Sequence, residues 1–131
     1  MKKSIIFFLM LSSVYLTSAK AECLEASNSQ EIDACAKLAK NSADANLNSS
    51  YKKLITRIKS QYAVDVKVGD DFTNKLKESQ RAWLKLRDTN CALEAFEIEV
   101  GQPAYLTTVN NCVAKMSLER SGYLDRILPD I

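Results

Sequence analysis

Arg87 and Gln80 are polar residues at positions where a helix should be apolar. In the stretch QRAWLKLRDTNC, from Gln80 to Cys91, positions 80, 83, 84, 87 and 91 share one side of a helix. The stripe runs back through Leu76 to Phe72 and includes Trp83 and Leu84. A guanidinium among core side chains is costly unless it is paired and fully hydrogen-bonded. The chemistry this spacing predicts is therefore an internal ion pair, with Arg87 taking a carboxylate or carbonyl partner from another helix. Asp44, Leu47, Asn48 and Tyr51, in the segment DANLNSSY, lie on one side of an earlier helix. Asp44 and Asn48 border its apolar stripe and are the expected partners of Arg87 and Gln80. Glu119 is a second candidate for Arg87, and Arg120 also falls inside an apolar stripe. Trp83, the single tryptophan, is expected to be a core anchor whose indole N–H finds a buried acceptor.

Other chemistries have little to work with. There is no histidine, which removes the commonest general base and the commonest metal ligand. The 16 acidic residues carry no motif that marks out a hydrolytic pair. Glu94, Glu97 and Glu99 read as a solvated acidic face, and Lys52, Lys53, Arg57 and Lys59 as a solvated basic one. No glycine-rich phosphate loop or nucleophile elbow occurs. The reading is of a non-enzymatic chain with no cofactor and no metal.

The first 21 residues read as a secretory signal peptide. Met1-Lys2-Lys3 is the positive start, Ile5 to Val14 the apolar run, and Ala19-Lys20-Ala21 the cleavage site, cut after Ala21. The residues before Cys23 lack the small apolar run that precedes a lipidated cysteine, so residues 22–131 are expected as a single exported domain, periplasmic or secreted, with no membrane anchor. Losing Lys2, Lys3 and Lys20 leaves 15 basic residues against 16 acidic ones. That balance and that compartment both argue against a nucleic-acid partner. Four cysteines in an exported chain predict two disulfides, and the absence of Cys-x-x-Cys argues against a redox or zinc site.

The elements that position these residues are three helices. The first starts near Asn28-Ser29, with Glu31 and Asp33 in its first turn, and ends around Tyr62. Residues 41–50 are poor in strong helix formers, so a kink or fraying is expected there. Ala63 to Asp71 reads as a loop carrying Lys67, with Asp70 or Asp71 capping a second helix that runs to about Glu99. Gly101 and Pro103 mark a turn within Val100 to Leu106. A third helix begins near Thr107 or Thr108 and ends before Pro129. Cys91 and Cys112 are equidistant from the bend, so antiparallel second and third helices would bring them side by side. This leaves Cys23 for Cys35. Each bridge is worth roughly 3 kcal/mol by loop entropy. The fold class is all-α, a small bundle of three helices stapled by two disulfides.

These residues carry a resemblance. An early cysteine pair is followed by Asp44-x-x-Leu47-Asn48-x-x-Tyr51 and then by Gln80-Arg81-Ala82-Trp83-x-x-x-Arg87-Asp88-x-x-Cys91. A late cysteine then precedes Glu119-Arg120. The pattern resembles the bacterial LprI-type domain, named after a mycobacterial lysozyme inhibitor, and covers roughly Cys23 to Leu128. The usual threonine of the late Thr-x-x-Arg segment is Ser117 here. The resemblance implies an all-helical, disulfide-bonded domain at the cell envelope that binds a protein partner, a lysozyme (muramidase) by the family's name. An envelope immunity or stress-response protein with a different periplasmic partner is the alternative reading. A cation aimed at the paired carboxylates of a muramidase would suit such an inhibitor. Lys67 is the expected contact, with the Val100–Leu106 turn second.

Overall fold

The computed structural model describes residues 23–129; the predicted signal peptide lies outside them. Three helices make up the fold: α1 (Ser29–Gln61), α2 (Val66–Glu94) and α3 (Pro103–Asp125). There is no strand among the described residues. At about 1.5 Å rise per residue, α1 is about 50 Å long.

Asn28 starts α1. Its side-chain oxygen accepts from the Glu31 amide at 3.0 Å, and the Glu31 carboxylate accepts in return from the Ser27 amide at 3.0 Å. The first bond satisfies an orphan donor of the helix start, and the second ties the residue before the cap onto the first turn. The buried residues Ala36, Ala43, Leu47, Ser50, Leu54 and Ile58 form one stripe, and α1 continues unbroken through residues 41–50. The expected weak point is held by packing: Ala43, Leu47 and Ser50 are buried there, and tertiary burial outweighs modest propensity.

α1 packs along its length on α3, while α2 touches the pair more sparsely. Small buried side chains make the close approach of α1 and α3 sterically feasible: Ala36, Ala43 and Ser50 on α1, and Ala114, Ser117 and Ser121 on α3. Thr107 bonds Asp33, Ser117 bonds Asp44, and Arg57 bonds the carbonyls of Leu124 and Ile127, so α1 and α3 run parallel. α2 runs antiparallel to both. The core has two parts. Leu47, Leu54, Ile58, Leu76 and Leu124 form the larger, while Cys91, Cys112 and Val113 form the smaller.

Three expected boundaries move. Ala63 to Asp71 is not a loop: α2 begins at Val66, capped by Asp65, whose carboxylate accepts from the Val68 amide at 3.3 Å. Asp70 and Asp71 lie inside the helix, and Lys67 with them. The cap and the Lys67–Asp71 pair one turn apart favour helix, although Val64, Val66 and Val68 alternate with Asp65 and Lys67 as in a strand. Gly69 suits this start, since a Cβ there would stand 3.2 Å from the Tyr62 Cβ. At the other end α2 stops at Glu94 rather than Glu99, and α3 starts at Pro103 rather than Thr107. Proline is pre-set for a first helical turn, where a missing amide costs nothing. Gly101, at φ +100, makes the intervening turn.

Both disulfides are present, Cys23–Cys35 and Cys91–Cys112, with Cα separations of 5.6 and 5.5 Å. The first ties the N-terminal segment onto α1. The second joins α2 to α3 just beneath the bend.

Candidate functional site

The residues singled out by type and spacing converge at one level of the bundle, between the two parts of the core. Arg87 on α2 is the centre. Its Nη1 donates to Asp44 Oδ1 on α1 at 3.1 Å and to Ser117 Oγ on α3 at 3.1 Å. Its Nε donates to Asp88 Oδ1 at 2.9 Å, and Nη2 lies 2.8 Å from the same oxygen. Ser117 Oγ donates to Asp44 Oδ1 at 3.2 Å, and Lys40 reaches Asp44 Oδ2 at 3.1 Å. One guanidinium thus links all three helices. The Arg87 side chain is 12% exposed and Asp44 31%, so the pair is shielded without being sealed. Its three bonding nitrogens use the fixed fork of arginine, which a lysine cannot reproduce.

A second cluster adjoins it. Arg120 Nε on α3 donates to Gln80 Oε1 on α2 at 3.1 Å, and its Nη2 donates to Ser79 at 2.8 Å. Trp83 lies between the two arginines, with Arg87 5.5 Å and Arg120 5.6 Å from its ring centroid. Arg120 also stands 4.8 Å from the Tyr123 centroid. Burial pushes the Arg120 guanidinium below its ordinary value, and Tyr123 partly offsets this. Trp83 keeps the expected place against the core but not the expected hydrogen bond. It is half-buried, packs against the larger core, and presents its ring to two cations rather than its N–H to a buried acceptor.

Between α1 and α2 these residues border an open groove of about 380 Å³. Asp44, Asn48, Tyr51, Gln80 and Arg87 line it, together with Leu47 and Leu84. Gln80 takes its partner from Arg120 rather than from α1. Asn48 is exposed, and among the described residues no side-chain hydrogen bond joins it to the cluster. Glu119 points elsewhere: it is exposed, and the carboxylates on Arg87 are Asp44 and Asp88. Lys67 stands apart, 86% exposed on the first turn of α2 and paired with Asp71 at 2.9 Å, which raises its pKa.

Two participants were not placed in the network by sequence reasoning, although the resemblance already singles out Ser117 as standing for the family's threonine. Ser117 is fully buried and shares a proton-donor network with Arg87 and Asp44, so a hydroxyl is what its position requires. Arg57, expected on a solvated basic face, instead donates to Leu124 O at 2.9 Å and to Ile127 O at 3.2 and 3.1 Å. It caps the C-terminus of α3, where orphan carbonyls and the helix dipole favour a cation. No signal in the sequence marked it, because its partners are backbone carbonyls 67 and 70 positions away.

The arrangement has the character of a scaffold. Arg87 is matched by the carboxylates of Asp44 and Asp88, Arg120 by the neutral acceptors Gln80 and Ser79, and the Ser117 hydroxyl is satisfied. Among the described residues no buried side-chain nitrogen or oxygen lacks a partner. Comparison with known proteins agrees with the fold. An uncharacterised protein of Rhizobium meliloti (strain 1021) is 28% identical over 113 residues, covering 82% of this chain and 78% of that protein. The crystal structure of a DUF1311 family protein from Pseudomonas putida KT2440 superposes with a TM-score of 0.67 at 32% identity, covering 76% of this chain and 91% of that one. The family described as lysozyme inhibitor LprI matches residues 20–124, a span that includes both cysteine pairs and every motif residue above, and the chain belongs to that family.

Proposed function

We propose that the protein is an exported, non-catalytic binding module that inhibits a muramidase. The observation that carries this reading is the match to the lysozyme inhibitor family across residues 20–124. Export is supported by the signal-like residues 1–21 and by two disulfides, which persist in oxidising compartments. No helix of the described residues is long and apolar enough to cross a membrane. A binding role is supported by the state of the polar cluster: Arg87 and Asp44 neutralise each other, which suits positioning helices better than proton transfer.

The test is a titration of the oxidised mature chain against c-type, g-type and i-type lysozymes on cell-wall substrate. Inhibition that is lost on reduction is the expected result. A chain that is helical by circular dichroism yet inhibits none of the three overturns the muramidase reading and directs attention to another envelope partner.

A further inference from the structure

The bend between α2 and α3 combines exposed apolar side chains with acidic charge. From Thr89 to Ala114 the chain has no lysine or arginine, and its acids are Glu94, Glu97 and Glu99, all exposed. Among them stand three large apolar side chains that the core does not take up: Leu93 at 71% exposure, Phe96 at 81% and Val100 at 78%. The other described phenylalanine, Phe72, packs on the core. The bend is also pinned. Ala95 and Cys91 are fully buried, and the Cys91–Cys112 bridge lies directly below. The amides of Ala95, Phe96, Ile98 and Gln102 each bond a carbonyl three or four residues back.

We infer that this bend, with Phe96 at its centre and Leu93 and Val100 beside it, is a docking surface for a cationic protein. An apolar cluster with a polar rim is the composition of a binding site rather than of ordinary surface. An exposed aromatic on a braced turn contributes affinity at low ordering cost. The three glutamates select the partner. They repel an anionic membrane, and they oppose pairing with a second copy, which would face them with the same charge. A surface rich in lysine and arginine complements them. The assignment deepens the inhibitor reading above and rests on it for its first probe. It moves the contact away from Lys67, which lies at the opposite end of α2.

The experiment measures binding of the oxidised mature chain to a cationic c-type lysozyme by surface plasmon resonance, at several salt concentrations. Phe96→Ser should weaken binding about 30-fold or more, mainly through faster dissociation. Replacing Glu94, Glu97 and Glu99 by Gln should slow association about tenfold and flatten its salt dependence. Lys52→Gln with Lys53→Gln, remote from the bend, should change neither. Equal binding by wild type and Phe96→Ser overturns the docking surface and leaves the inhibitor reading standing. If the wild type binds no lysozyme, the inhibitor reading fails alone, and a photo-crosslinking residue decides the surface. Placed at position 96 in cells that make the protein, it should join an identified basic protein, with the adduct lost in the Gln triple variant and absent from position 56. No adduct at 96, or an acidic partner there, overturns the proposal.

Discussion

Arg87 is the residue on which the three helices meet, and its environment makes a sharp prediction. Arg87→Ala leaves Asp44 and Ser117 without their shared donor, so it should destabilise the fold by about 2–4 kcal/mol in urea unfolding. Arg87→Lys should recover little, because an ammonium cannot serve Asp44, Ser117 and Asp88 together. Ser117→Thr keeps the hydroxyl, whereas Ser117→Ala should cost about 1–2 kcal/mol. A Ser117→Ala protein as stable as wild type would show that the hydroxyl contributes nothing. Arg87 and Asp44 were legible because a charge inside an apolar stripe demands a partner. Ser117 was not, since a serine satisfied within a stripe looks like any other small residue.

At the scale of the element, side-chain capping decided where α1 and α2 begin. Asn28 was readable because it is a good N-cap residue and the acids Glu31 and Asp33 follow in the first turn. Asp65 was obscured by Val64, Val66 and Val68, whose alternation suggests a strand that has no neighbour to pair with. The Glu31 carboxylate accepts from the Ser27 amide, and Asn28 adds to this, so its pKa lies below the ordinary 4.5. A lowered carboxylate pKa stabilises the helix start above 4.5, and the contribution disappears as pH falls through the folded value. Amide protection in the first turn of α1, taken against the intrinsic exchange rate at each pH, should therefore fall as pH drops below 4.5 while the middle of α1 stays protected. Glu31→Gln should remove that pH dependence. Protection factors that stay constant between pH 5 and 3 would contradict the capping assignment.

For the whole molecule, the sparse contact of α2 makes the Cys91–Cys112 bridge important. Replacing both cysteines by Ala should cost about 3 kcal/mol, since the closed loop between them spans 21 positions. Hydrogen exchange should show the loss concentrated in α2 and the bend, with α1 and α3 held by their mutual packing. The charge distribution is also a property of the whole. Acidic and apolar groups gather at the α2–α3 bend, while Lys52, Lys53 and Lys59 lie on the far half of α1. A net charge close to zero conceals this division.

Local physics alone determined three helices, two disulfides and a buried arginine that must be paired. Periodicity, cysteine parity and the cost of an unmatched charge are all written along the chain. Only the tertiary structure decided that α1 and α3 run parallel, that Ser117 completes the Arg87 pair, and that Arg57 closes the end of α3. Each depends on which positions meet across 30 or more residues of chain, and helix periodicity contains no register between helices. The exposed Phe96 belongs to the same class. Phe96 lies off the stripe that runs through Cys91, and only the folded chain shows it 81% exposed beside a pinned turn.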